Sequence, residues 1–559
     1  MQTSSSDRTG DCQARLQQPG QVVVTGEDLT IDEVIAVARH AAPVSLSDSA
    51  RARVNQARKV VDAVAESAEQ VYGLNTELGP LFDMRVSPEE MGQFQFATIV
   101  GHAVSYGKQL RTSYVRAMML VRVNGMARGG TGVRVEVLEA VIALLNNGVH
   151  PVVKAGGSVG QADLAEMSQI ALVVVGLGEA EYRGEVMKGA DALAAAGLAP
   201  LLLQPKEALG LISANGYSLG RGSLVLHDAI EMAETYNLAA ALSLEAYGAN
   251  LSILHPIAAR MKPHPGHVAV AERLRSLLAG SYLWKKGSAR KLQDSLSFRC
   301  IPQVHGVLWE TCAALRKTLE IELNSGADNP IVSVEDGTLV STGNFDVTNL
   351  AVAFDTLKVA LIQVIRMSNE RLHKHLWSSF SELPTGLARP DAPNSRLLPL
   401  SRTCSALTAE ANTLASPVSL TYGSQLAEGM EDYASMAPGA VATTGRLIHI
   451  ARQVAALELM ISASAIDMRG KPQLGVGTDT AYEIVHAYPM LDANVWNSEI
   501  PRVVEAIRSG HLNHWVEDAL NGTPHTPNSG TADTIIEAAV PTAKPQTSIK
   551  GKRNSGGGK

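Results

Sequence analysis

The strongest constraint on this chain is a stretch of about 31 residues, Asp346 to Leu376, whose apolar positions recur at three- and four-residue steps. Leu350, Phe354, Leu357, Leu361, Val364 and Leu372 keep that spacing, with Ser368 between the last two. The period predicts an α-helix, and at ~1.5 Å per residue it would span about 46 Å. Thr443 to Met468 repeats the pattern with apolar residues on more than one face. Such a helix is expected inside a large bundle or between subunits. Strand signals are few and short, with Val22-Val23-Val24 the clearest. The expected fold is mainly α, a long central helical bundle with few short strands.

The chain has 559 residues, more than the ~250–300 that one core usually organises. We expect a disordered tail over 1–20, an N-terminal domain over 21–220, a long-helix bundle over 221–520 and a disordered tail over 521–559. The last segment carries Pro524, Pro527, Pro541 and Pro545 and ends in a basic, glycine-rich run, too poor in apolar surface to offset ordering. A net charge of -7 gives no electrostatic reason to bind nucleic acid or an anionic membrane. No uninterrupted apolar run reaches the ~18 residues of a membrane span, and Met1 to Gly20 lacks the apolar core of a signal peptide. Cys12, Cys300, Cys312 and Cys404 show no CxxC spacing, so neither a zinc site nor a disulfide framework is expected. A reducing cytoplasm fits. No nucleotide fingerprint or metal-ligand cluster is present, so no metal and no bound cofactor are expected.

Two short motifs read as coincidence. Gly216-Tyr217-Ser218-Leu219-Gly220 matches a nucleophile elbow, but the residues before it do not form a convincing central strand. Gly129-Gly130-Thr131-Gly132 lacks the Lys-Ser/Thr ending of a phosphate loop and reads as a turn between helices.

A set of unusual segments, all in one order, is far more specific. These are Tyr72-Gly73-Leu74-Asn75-Thr76-Glu77-Leu78-Gly79, Gly101-His102-Ala103, Gly156-Gly157-Ser158-Val159-Gly160-Gln161-Ala162-Asp163-Leu164-Ala165 and Asn215-Gly216. Gln293-Asp294-Ser295-Leu296-Ser297-Phe298-Arg299, Asn324 through Pro330, Gly343-Asn344-Phe345 and Glu431-Asp432 follow. Over roughly residues 21 to 520 the chain resembles the histidine and phenylalanine ammonia-lyase family. That family carries Ala-Ser-Gly between its Gly-Ser-Val-Gly and Asp-Leu-Ala segments, and the triplet cyclises into an electrophilic methylidene-imidazolone. Here Gln161-Ala162 stand in its place, and Ala-Ser-Gly occurs nowhere in the chain.

The resemblance implies roles for individual residues. Tyr72 corresponds to the base that takes the β-proton. Arg299 corresponds to the arginine that receives the substrate carboxylate, which suits its planar fork. Asn215 would orient the electrophile or substrate, and Glu431 would contact the amine or ring. His102 lies where histidine-specific members keep an imidazole-contacting histidine. Gln293, Leu296, Phe345 and Tyr217 complete the expected substrate contacts. Asp163 is expected to be a structural cap. Departures cluster at the same points: Leu296 replaces a tyrosine, Tyr217-Ser218 replace Thr-Gln, and Met430 and Tyr433 flank Glu431.

Without the electrophile, elimination needs a leaving group that is already good. A quaternary ammonium departs as a neutral tertiary amine, and ergothionase, a family member that also lacks the triplet, releases trimethylamine from the betaine of thiohistidine. Tyr217 and Tyr433 are candidates for a cation–π surface worth ~0.5–2 kcal/mol. The expectation is a carbon–nitrogen lyase that acts on an imidazole-type or aromatic amino acid or betaine to give an acrylate. It would assemble as the family's homotetramer, with sites drawn from several subunits. A catalytically inactive scaffold subunit and a conventional histidine ammonia-lyase are the alternatives.

Overall fold

A computed structural model of the chain describes residues 20–66, 70–76, 78, 84–87, 90–389, 397–486 and 496–522. The expected tails, 1–20 and 521–559, lie almost wholly outside these residues. The architecture is mainly helical, and its centre is built from Gly216–Tyr247, Ile301–Leu323, Thr348–Leu376 and Ala437–Met468. The Gly216–Tyr247 and Thr348–Leu376 helices both pack along Ala437–Met468. The period read from the sequence therefore places its helix within two residues of the observed start. Leu350, Phe354, Leu357, Leu361, Val364 and Leu372 are all fully buried, as that spacing requires. Ala437–Met468 is long and apolar enough to cross a membrane by length and composition, but here its apolar faces are covered by the rest of the bundle.

Close packing of the bundle depends on a small residue at one crossing. Gly220 lies against the Thr112–Ala127 helix, where a Cβ would stand 2.7 Å from the Met118 amide nitrogen. A side chain there would push two helices apart. The strands are short, as expected, and among the described residues they form four separate sheets. Val22–Val24 pairs in parallel with Val44–Leu46. Lys154–Gly156, which leads into the Gln161-Ala162 segment, pairs antiparallel with Tyr106–Gln109.

The two coincidental motifs are explained by local structure. Gly216 opens a helix, the preceding Glu207–Ile212 is itself helical rather than a strand, and Ser218 is buried. Gly129 to Gly132 forms the turn between the Thr112–Ala127 and Val135–Asn146 helices.

Candidate active site

A cavity of about 1100 Å³ opens where several helices begin. Gln161 and Ala162 precede the Leu164–Val174 helix, and Ser213 precedes Gly216–Tyr247. Phe345 and Asp346 precede Thr348–Leu376, and Tyr433 precedes Ala437–Met468. Each helix start carries about half a positive charge from its unpaired N–H groups, so four positive ends surround the cavity. The Met91–His102 helix supplies another wall. Phe94, Ala97, Thr98 and Gly101 share one face at the three- and four-residue steps of a helix.

Of the residues singled out from the sequence, Tyr72, His102, Phe345 and Glu431 line this cavity. The Nδ1 of His102 lies 2.7 Å from the Thr98 carbonyl oxygen. A carbonyl only accepts, so Nδ1 donates and Nε2 is left as the acceptor of a neutral ring. Asn215 sits one layer behind the surface and donates from Nδ2 to the Phe345 carbonyl at 2.7 Å. It holds the Phe345 wall in place instead of lining the cavity itself.

Tyr217 corrects the sequence expectation. It is fully buried and points away from the cavity, with its hydroxyl donating to the Ala155 carbonyl at 2.9 Å. Its ring already has a cation beside it, the Arg221 guanidinium 5.6 Å from the centroid. Burial raises its hydroxyl pKa further. The cause is position: Tyr217 is the second residue of a helix whose first turn enters the core.

Gln293, Leu296 and Arg299 are not part of the cavity within one chain. Phe298 stacks on Tyr247, with ring centroids 4.3 Å apart, so this segment sits at the far end of Gly216–Tyr247. That helix has 32 residues, about 48 Å at ~1.5 Å each, far beyond the reach of an arginine side chain. Leu296 is 63% exposed, and the buried Arg299 Nε finds no partner.

Among the described residues, four carboxylates, Glu90, Asp346, Glu431 and Asp432, line the cavity with one guanidinium, that of Arg85. Sequence reasoning missed Glu90, Asp346 and Arg85, and only the proximity of Asp346 to Phe345 signalled it. Among the described residues, no cluster of three or more histidine, cysteine, aspartate or glutamate side chains is placed to hold a metal ion.

The Gln161-Ala162 segment is fastened as ordinary polypeptide. The Asp163 amide donates to the Ala214 carbonyl at 2.9 Å. The Asp163 carboxylate accepts from the Ser218 amide at 2.7 Å and from its hydroxyl at 3.2 Å, so it caps the Gly216–Tyr247 helix as the sequence implied. Burial, with the nearby Glu166 carboxylate, pushes the Asp163 carboxyl up to about 8, against the Ser218 hydrogen bonds that pull it down. Burial also raises Glu166, whose carboxylate accepts from the Ser158 hydroxyl. A methylidene-imidazolone does not fit this segment. The segment offers no serine hydroxyl to lose as water and no glycine nitrogen to close the ring, and the nearest serine, Ser158, is committed to Glu166.

The sequence profile of the aromatic amino acid lyases matches residues 29–487. The chain belongs to the aromatic amino acid lyase family and is a carbon–nitrogen lyase. The histidine ammonia-lyase of Alkaliphilus oremlandii is 35% identical over 503 residues, which cover 89% of this chain and 99% of that enzyme. Among solved structures, the ergothioneine-degrading enzyme ergothionase from Treponema denticola superposes with a TM-score of 0.84 at 29% identity, covering 88% of this chain and 99% of its own. Tyrosine aminomutase from Streptomyces globisporus gives 0.83 at 28% identity, covering 90% and 99%.

Proposed function

We propose that this lyase eliminates a quaternary ammonium group, as a neutral tertiary amine, from the betaine of an imidazole-type or aromatic amino acid, without an electrophilic prosthetic group. The observation that carries the reading is the cavity wall, where among the described residues four carboxylates outnumber one guanidinium together with the half-charges of four helix starts, beside a segment without the Ala-Ser-Gly triplet. A cationic substrate group complements that wall, and a permanently alkylated nitrogen needs no activation to leave.

The placement of side chains supports the following steps. Tyr72, as its phenolate, takes the β-proton and becomes a phenol. The Cβ–H electron pair becomes the second bond of the new Cα=Cβ double bond, and the Cα–N bond breaks with its pair staying on nitrogen. The products are an acrylate, a neutral amine and a proton that Tyr72 passes to water. His102 Nε2 accepts a hydrogen bond from a ring N–H, Phe345 packs against the ring, and Glu431 faces the cationic group.

The substrate carboxylate requires a cation, and Arg299 supplies it from another copy of the chain. The 48 Å helix that separates Arg299 from the cavity within one chain, together with the exposed Leu296 beside it, supports a shared-site homotetramer.

Two measurements test this. Ultraviolet spectra of the protein incubated with ergothioneine, hercynine, histidine, phenylalanine and tyrosine should show a new conjugated acrylate from the betaines. Absence of any acrylate would sink the reading and leave an inactive scaffold subunit, while release from histidine alone would restore the conventional ammonia-lyase. Mixing the separately inactive Tyr72→Phe and Arg299→Ala chains should regain part of the activity through hybrid sites. No recovery after verified subunit exchange would refute the shared site.

A further inference from the structure

The two residues in place of the missing triplet do more than close a gap. Gln161 donates from its side-chain amide to the Tyr433 carbonyl, and its backbone forms an antiparallel bridge with Asp346. Neighbouring bonds join the same two segments in the opposite direction. The Met436 amide donates to the Val159 carbonyl at 2.8 Å, and the Ser435 hydroxyl donates to the Gly160 carbonyl at 3.0 Å. Gly160 makes this approach possible: its φ is +94°, and a Cβ would stand 2.3 Å from Ser435 Oγ. Residues 159–161 are thus laced to 433–436 across the cavity's edge.

The far end of Tyr433 is held as well. Its hydroxyl lies 2.8 Å from Thr348 Oγ1, and Thr348 donates its single hydroxyl proton to Asp346 Oδ2 at 3.1 Å. The Thr348 amide donates to Asp346 Oδ1 at 3.0 Å. With the threonine proton committed to the carboxylate, Tyr433 is the donor to Thr348. Tyr433, Thr348, Asp346 and Gln161 therefore close a ring. Tyr433 is 56% exposed, a setting in which a side chain ordinarily samples several rotamers, yet it is tied at both its backbone carbonyl and its hydroxyl. That hydroxyl is engaged by Thr348, which separates Tyr433 from the role of base. Tyr433 lines the cavity together with Glu431, Asp432 and Asp346, and with its hydroxyl engaged the ring is the part left to meet a ligand.

We propose that Gln161 is a positioning residue that fixes Tyr433 as the specificity-determining wall for a methylated ammonium, an aromatic face backed by carboxylates. The sequence change that removes the electrophile and the one that selects a substrate with its own leaving group are then the same change. The inference rests on the proposed betaine substrate, but binding tests it separately from turnover.

Calorimetric titration with hercynine and with histidine, which differ only in methylation of the amine, reads the preference directly. Wild-type protein should prefer hercynine. Gln161→Leu, which keeps the bulk and loses the donor, should lower that preference between about twofold and thirtyfold, the range of a cation–π contact. Thr348→Val should do the same from the other end of the tyrosine, and Tyr433→Leu should lower it at least as far. A loss of folding would weaken both ligands together, whereas the ratio reports on the ring. An unchanged ratio in folded Gln161→Leu and Thr348→Val overturns the inference, even if betaines are turned over. So does wild-type protein that binds the two ligands equally. A Gln161-dependent preference without any acrylate would instead overturn the lyase reading and leave the inference standing.

Discussion

The two ends of the Gly216–Tyr247 helix treat charge in opposite ways. At the Tyr247 end, Arg371 and Glu458 are fully buried and paired through two contacts, one of them 3.0 Å from the Arg371 Nη2. Ser243 and Ser368 donate to the same carboxylate, and Arg371 also donates to the Ser297 carbonyl at 3.1 Å. At the Asn215 end, Glu431 and Asp432 face the cavity and take no ion-pair partner among the described residues. A paired, buried network fixes geometry, while partly exposed carboxylates without a partner remain available to a ligand. The far end is therefore a rigid platform beneath the segment that carries Arg299, and in the proposed reading the near end is the receptor.

The largest expected effect falls on the platform. Arg371→Met leaves the Glu458 carboxylate buried without its cation, which should cost about 3–5 kcal/mol of stability. Chemical denaturation measures it directly. Replacing both partners, Arg371→Met with Glu458→Leu, should recover most of the loss, because the cost lies in the stranded charge. If Arg371→Met unfolds no more easily than wild type, the two ends do not differ in the way described.

How much of this was legible in the sequence follows the same division. The bundle was readable because each long helix repeats its period many times, so a misread of one residue changes little. Tyr72, His102, Phe345 and Glu431 were readable through short unusual segments, and all four reach one cavity. Tyr217 was misplaced because adjacency to Asn215 says nothing about which way a first helical turn faces. The remoteness of Arg299 was hidden for a related reason, since no motif records the length of the helix that separates it from the cavity. Gln161 showed only as an absence, because its partner Tyr433 is 272 residues away and no local pattern joins them.

A second effect, graded with pH, distinguishes the cap that joins the Gln161-Ala162 segment to this helix. The Asp163 carboxyl is held near about 8 in the folded chain against ~3.9 when unfolded. Between those values the folded state keeps a proton that the unfolded state has lost. Its contribution is therefore fully present below about pH 4 and falls as pH rises toward 8, by about 1.4 kcal/mol per pH unit at most. Asp163→Asn keeps an oxygen for the Ser218 amide and cannot ionise, so its stability should decline less between pH 5 and pH 8 than that of wild type. Parallel pH–denaturation curves for the two proteins would show that Asp163 already ionises at an ordinary carboxylate pH.

The smallest effect should appear at the cavity and is the sharpest contrast with Arg371. Glu431→Gln removes one negative charge from a partly exposed wall and keeps the side chain's shape. With no ion pair to break, stability should stay within about 0.5 kcal/mol of wild type. The loss should appear in binding. One partly screened carboxylate facing a cation is worth about 1 kcal/mol at the ~4 Å scale of contact, so the KM for a betaine should rise roughly fivefold. Added salt should shrink the difference, because an open cavity admits screening ions. The Arg371 effect should persist in salt, since its pair is closed to solvent. A Glu431→Gln protein that loses several kcal/mol of stability, or whose KM rise ignores ionic strength, would show that the near end is built like the far one.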